Sequence, residues 1–185
     1  MQKTLHSLVE KKKVKDLRRL IEVVLKSNVS GSFWECGVYS GGTADIIRSM
    51  IPNDRKLYLF DSFEGLPEPA KQDNHHKKGD FDDINFEEIQ EHFSKFDNVT
   101  LVKGWIPDTF SIVPEEPIAF CHLDLDLYEG YRDTLNHVWP KLCSGGIICL
   151  DDYKVSSCQG ATDATDEFVK ENNISVIDDY YIQKP

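Results

Sequence analysis

Two apolar runs in this chain end in carboxylates: Ala119-Phe120-Cys121-His122-Leu123-Asp124-Leu125-Asp126 and, further on, Ile147-Ile148-Cys149-Leu150-Asp151-Asp152. Near-continuous apolar runs mark strands buried on both faces, as in a parallel sheet covered by helices. Ligands of such a sheet sit outside the carboxyl ends of its strands, so two neighbouring strands of this kind gather acids on one rim. Clustered carboxylates repel one another unless a cation joins them. Oxygen donors of this type suit Mg2+, Mn2+ or Ca2+ rather than zinc, because no His or Cys stands at tight ligand spacing beside them.

The rest of the chain supplies the helices that such a sheet needs. Apolar residues at Val14, Leu17, Leu20, Ile21, Val24 and Leu25 recur at helical spacing, which predicts an N-terminal helix ending before Ser30-Gly31. Strands are expected at residues 32–36, 56–60 and 99–102, and helices at 43–50, 84–96, 131–142 and 161–172. Ser144-Gly145-Gly146 reads as the stop after the 131–142 helix, and residues 174–182 as an edge strand or hairpin. Alternating strands and helices predict an α/β, Rossmann-like fold, a mainly parallel sheet with helices on both faces. With 185 residues the chain suffices for one domain, 1–185, with residues 1–30 as its helical N-terminal segment. Residues 61–83 are polar and too long for a plain connection, which predicts an active-site loop.

Charge and composition exclude several partners. A net charge of −11 repels a phosphate backbone, so nucleic acid is not expected. The basic cluster Lys11-Lys12-Lys13-Val14-Lys15 is read as a solvated helix face. No apolar stretch has membrane-spanning length, and Met1-Gln2-Lys3-Thr4-Leu5-His6 lacks an apolar signal core, so a cytoplasmic protein with no membrane partner is expected. Five cysteines without a CxxC pair argue against a disulfide framework.

Between the first strand and the next helix lies Trp34-Glu35-Cys36-Gly37-Val38-Tyr39-Ser40-Gly41-Gly42-Thr43. Glycines let the backbone turn sharply and approach a ligand, and the helix start offers amide donors to an anionic group. Asp61 ends the following strand, where an acid commonly binds ribose hydroxyls. The pair reads as a nucleoside-type cofactor site. Its spacing departs from GxGxxG, since Tyr39 stands at the second glycine position, which counts against NAD.

These residues carry a resemblance. The stretches 35–43, Asp61-Ser62-Phe63-Glu64-Gly65-Leu66-Pro67, Gly104-Trp105-Ile106-Pro107-Asp108-Thr109, Leu123-Asp124-Leu125-Asp126-Leu127-Tyr128-Glu129 and 145–153 resemble, in order and spacing, the macrocin O-methyltransferase family. More distantly the pattern is similar to catechol O-methyltransferase. The resemblance implies S-adenosylmethionine and Mg2+, or another divalent cation, as cofactors and a hydroxyl-bearing acceptor, a saccharide, as substrate. It places Glu35, Gly37, Tyr39, Gly41, Gly42 and Thr43 around the methionine part of the donor, Asp61 at the ribose, and Ser62, Gly104 and Trp105 at the adenine end. It makes Asp124, Asp151 and Asp152 the metal ligands.

For the proton acceptor, His76 matches a histidine near the substrate in that family; His75 stands beside it, and Asp124 is placed to share the role. His122 is expected to be a satisfied core residue and Asp126 to cap the helix near Tyr128. The stretch before the first strand is short for the family, which implies a reduced lid and leaves a homo-oligomer open. A non-catalytic module that only binds the nucleoside cofactor is the alternative from another class.

Overall fold

Residues 9–185 are described by a computed structural model, so the expectation about residues 1–6 lies outside the described part. Helix α1, Lys11–Lys26, leads into strand β1, Ser32–Cys36, and the alternation then runs α2, Gly42–Met50, and β2, Leu57–Asp61. After a long loop come α3, Phe86–Phe93, and β3, Val99–Lys103. A short 3-10 turn precedes β4, Ile118–Leu123; then follow α4, Tyr128–Val138, β5, Leu142–Leu150, α5, Gln159–Glu171, and the edge strand β6, Tyr181–Gln183.

The sheet order is β3-β2-β1-β4-β5-β6, with every pair parallel except β5 and β6. Chain direction across the sheet reverses between β1 and β4, so the crevice outside their carboxyl ends is the switch point where an α/β sheet binds ligands. Both strands are buried along their whole length, which is why their sequences read as apolar runs.

Strand alternation divides the core into two layers. Phe33, Leu57, Leu59 and Phe120 pack under α1, α2 and α3 through Leu17, Leu20, Ile21, Ile47 and Phe93. Trp34, Phe60, Cys121 and Ile148 point to the other side, against Tyr131, Leu135 and Val138 of α4 and Ala161 and Phe168 of α5. Glu35 and His122 share the face of Phe33 and Phe120 by that alternation, and they are direct partners in the β1–β4 register.

The fold corrects two sequence expectations, the helix stop at residues 144–146 and the cap of α4. Ser144-Gly145-Gly146 does not stop a helix: α4 ends at Val138 and the glycine pair lies inside β5. The β4–β5 register jumps from Ile118↔Leu142 to Phe120↔Ile147, so residues 143–146 bulge out of the ladder. Hydrogen bonds from Gly145 N to Lys184 O and from Lys184 N to Gly146 O, both 2.9 Å, keep the bulge in the sheet.

Residues 62–85 contain no helix or strand. The loop is nevertheless pinned: Leu66 N donates to Asp80 O at 2.8 Å and Gly79 N to Leu66 O at 2.9 Å. Asp73 reaches α4, where its Oδ1 accepts from Tyr128 N at 3.0 Å while Oδ2 accepts from Ala70 N at 3.0 Å. A Cβ on Gly160 would lie 1.8 Å from Asp73 Oδ1, so α5 makes room for this contact. The cap on α4 therefore comes from the loop, not from Asp126 as the sequence predicts. Asp73→Ala is expected to cost about 1 kcal/mol, the usual value of a lost N-terminal cap, and to speed proteolytic cleavage within residues 62–85; unchanged melting and cleavage would contradict the cap.

Candidate active site

Outside the ends of β1 and β4 lies a cavity of about 570 Å³. Its floor is the turn after β1. Gly37 has φ +92°, and a Cβ there would fall 1.7 Å from Asp124 O, so no other residue fits between the two strand ends. Gly37→Ala is expected to lose about 3 kcal/mol or more through the clash and the strained backbone, read as a lower melting temperature; an unchanged melt would refute the close approach. Asp61 holds the same turn: its Oδ2 accepts from Val38 N at 2.7 Å and Tyr39 N at 2.9 Å, and its Oδ1 from Phe63 N at 2.7 Å. A carboxylate has about four acceptor positions, so Asp61 keeps one for a ligand hydroxyl.

The cavity wall includes Gly37, Tyr39, Gly42, Thr43, Asp61, Ser62, Gly104, Trp105 and His76 together with Asp124, Asp151 and Asp152. Trp105, 41% exposed, offers a largely open indole there. Gly41, φ +82°, caps α2 beneath the wall rather than on it. Glu35 is a correction: it is fully buried, off the wall, and its Oε1 sits 3.1 Å from His122 Nδ1. Strand alternation turns its side chain under α1 instead of into the cavity.

The acids converge as the sequence suggests. Asp124, Asp151 and Asp152 each present a carboxylate oxygen within 4.8 Å of the others. Backbone bonds fix all three: Asp124 N donates to Cys36 O and Asp151 N to Leu123 O, both at 2.9 Å, and Asp152 N to the Tyr131 hydroxyl at 2.9 Å, which donates in turn to Leu123 O at 3.0 Å. Asp152 Oδ2 accepts from Leu125 N at 3.1 Å and Asp126 N at 2.9 Å, so it also shapes the turn after β4.

Burial and like-charged neighbours make this a strained cluster. Burial, then Asp152 and Asp151, push the Asp124 carboxyl well above the usual range. Burial, then Asp126 and Asp151, push Asp152 up to about 7. Asp151 goes the other way, because His122 and then Lys13 outweigh its burial and hold it below the usual value. Its Oδ1 is buried, 3.6 Å from His122 Nε2 and without a hydrogen bond. Three carboxylate oxygens at this spacing fit a hard divalent cation.

Lys13 is a second correction. Lys11, Lys12 and Lys15 are exposed, but Lys13 is half-buried on the cavity wall, donates to Asp151 O and lies 3.2 Å from Asp151 Oδ2. It stands one turn before Leu17 on the apolar stripe of α1, the spacing that could have revealed it.

Of the adjacent histidines, His75 is exposed and His76 faces the cavity. His76 Nε2 lies 3.6 Å from Asp126 Oδ1. Asp126, expected as a helix cap, instead takes φ +60°, and the turn aims its carboxyl at His76. Burial comes first among the causes that push it up to about 6.

A family model described as Macrocin-O-methyltransferase (TylF) matches residues 2–180. Demethyldecarbamoylnovobiocin O-methyltransferase of Streptomyces niveus is 30% identical over 179 residues, which cover 88% of this chain and 67% of the relative. Mycinamicin III 3''-O-methyltransferase of Micromonospora griseorubida is 30% identical over 173 residues, 84% of this chain and 68% of the relative. The chain thus spans about two thirds of the length of these relatives. Among solved structures, that of the O-methyltransferase NovP superposes with a TM-score of 0.83 at 29% identity, over 97% of this chain and 82% of that one. The calicheamicin methyltransferase CalS11 shares the fold at 20% identity and a TM-score of 0.76, over 95% of this chain and 80% of that one.

Proposed function

The chain belongs to the macrocin O-methyltransferase family, and from that membership and its cavity we propose that it moves a methyl group from S-adenosylmethionine to a hydroxyl of a sugar or glycosylated metabolite, with a divalent cation such as Mg2+. The observation that carries the reading is the set of three carboxylates within 4.8 Å of one another, on the same cavity as the β1–α2 turn. The relatives' names, which refer to novobiocin, mycinamicin and a rhamnosyl-tetracenomycin, support a saccharide acceptor. A net charge of −11 supports a small acceptor over nucleic acid. Among the described residues no helix is long and apolar enough to cross a membrane.

In this reading the amide groups at the start of α2 take the donor's carboxylate. The last free acceptor position of Asp61 takes a ribose hydroxyl, and Ser62, Gly104 and Trp105 receive the adenine. Glu35 acts at one remove: through His122 it steadies Asp151. Asp124, Asp151 and Asp152 hold the cation. When bound, that ion polarises the acceptor hydroxyl and lowers its pKa. His76 Nε2 accepts the hydroxyl proton, with the Asp126 carboxylate beside it to stabilise the imidazolium. The oxygen then forms its bond to the methyl carbon as the carbon–sulfur bond breaks, and the sulfonium leaves as a neutral thioether.

Two measurements test this. An acceptor screen with methyl-labelled S-adenosylmethionine, with and without chelator, is expected to label sugars or glycosylated metabolites only when the cation is present. Label on catechols alone would move the reading to the catechol class, and no label on any diol would favour a binding module. Second, His76→Ala is expected to lower kcat about 10²- to 10⁴-fold, the usual share of a positioned acid–base group, with donor affinity unchanged. An unaltered kcat would remove His76 from the mechanism.

A further inference from the structure

Beside the oxygen cluster, the cavity brings together three donors of different chemistry. His76 comes from the loop before α3, Asp126 from the turn after β4, and Cys158 from the residue just before α5. Cys158 Sγ lies 3.6 Å from His76 Nε2 and 3.5 Å from Asp126 Oδ1, and Nε2 lies 3.6 Å from that same oxygen. A tetrahedral zinc ion, with its sulfur at about 2.3 Å and its nitrogen and oxygen at about 2.0 Å, separates its donors by roughly 3.3–3.6 Å. The triangle already has the edges of a zinc face.

We propose that His76, Asp126 and Cys158 form a second cation site, selective for Zn2+, with its fourth position open to the cavity. Three further features point the same way. His76 Nδ1 lies 3.6 Å from Asp80 Oδ2, and Asp80 is itself fixed by accepting from Lys77 N at 2.9 Å. A carboxylate behind the far ring nitrogen is the arrangement that orients metal-binding histidines. Asp126 is held in place from its backbone, where Asp152 Oδ2 accepts its N–H at 2.9 Å. Cys158 is 3% exposed, so its sulfur faces these partners rather than solvent.

Donor chemistry keeps the two sites apart. The three-aspartate site offers oxygens alone and suits Mg2+, whereas imidazole and thiolate favour zinc over magnesium. Burial and the neighbouring acids push the Cys158 thiol up, so the ion displaces the thiol proton, which leaves to water in the open cavity. A zinc ion there occupies His76 Nε2. On the methyl-transfer reading above, Zn2+ is therefore an inhibitor of the Mg2+-loaded enzyme; binding itself does not rest on that reading.

Co2+ is the probe for Zn2+. Added to wild-type protein saturated with Mg2+, it is expected to give a thiolate-to-cobalt charge-transfer band that saturates near about one equivalent and vanishes when Zn2+ is added. Cys158→Ala is expected to lose the band and Cys143→Ala to keep it, Cys143 being half-buried where the other four cysteines are buried. Asp80→Asn is expected to weaken Co2+ binding by about tenfold or more. Absence of the band in folded wild type, or its persistence in Cys158→Ala, would overturn the site. A band in a protein that methylates no acceptor upholds the site and counts against the methyl-transfer reading instead.

Discussion

Replacing Asp124 with asparagine is expected to abolish cation-dependent methyl transfer while raising the melting temperature of the metal-free protein. Three carboxylates within 4.8 Å of one another repel, and Asp151 and Asp152 are buried. Without a cation, Asp124 is a cost to the fold, because no hydrogen bond in the site compensates a third acid. An asparagine of the same shape removes that repulsion, for a gain of about 1 kcal/mol, which in a domain of this size is about 2–4 °C. Turnover moves the opposite way. Polarisation of the acceptor by a held cation is worth several kcal/mol, and each 1.36 kcal/mol is about tenfold in rate, so a loss of about 10³-fold is expected. Thermal scans with and without Mg2+, beside initial rates, separate the two effects. Lower stability together with full activity would mean that Asp124 serves the fold and not the cation.

His122→Ala is expected to be the most destabilising single change. His122 and Glu35 are both fully buried, paired at 3.1 Å across the β1–β4 register, and Asp151 Oδ1 lies 3.6 Å beyond. Burial alone would lower the His122 pKa, but the acids on either side of the ring, Asp151 and Glu35, raise it well above the ordinary value. Removing it strands the Glu35 carboxylate in the core, at about 3–5 kcal/mol for a broken buried pair, or a fall of roughly 10 °C. The double change Glu35→Met with His122→Leu is expected to recover most of that loss, since an apolar pair of similar volume satisfies the core, yet still to weaken Mg2+ binding because Asp151 loses its support. A melt of the single variant within about 2 °C of wild type would show that the pair carries little.

What could be read from the residues followed from burial. Strand β4 and residues 147–150 of β5 are buried throughout, so their sequences are apolar until the rim, where the acids begin. Asp124, Asp151 and Asp152 are legible for that reason. Less legible is whatever depends on register or on a turn. That Glu35 meets His122 requires knowing that β1 lies beside β4; the local signal is an acid in one apolar strand and a histidine in the other. Asp126 looks like a cap because its direction is set by a positive φ, although the alternation Leu123-Asp124-Leu125-Asp126 hints that both acids share a side. Lys13 hides in a run of lysines, and Cys158 is drawn to His76 only by folding of the loop. In space a histidine does accompany the acids, since His122 Nε2 lies 3.6 Å from Asp151 Oδ1.

Mn2+ binding followed by electron spin resonance, in the presence of S-adenosylmethionine, tests the shared-cation claim most directly. Wild-type protein is expected to take up Mn2+ at an all-oxygen site from which Mg2+ displaces it and which Asp124→Asn loses, with donor affinity the same in both proteins. Equal Mn2+ uptake by wild type and Asp124→Asn would contradict the claim that Asp124, Asp151 and Asp152 hold one ion between them.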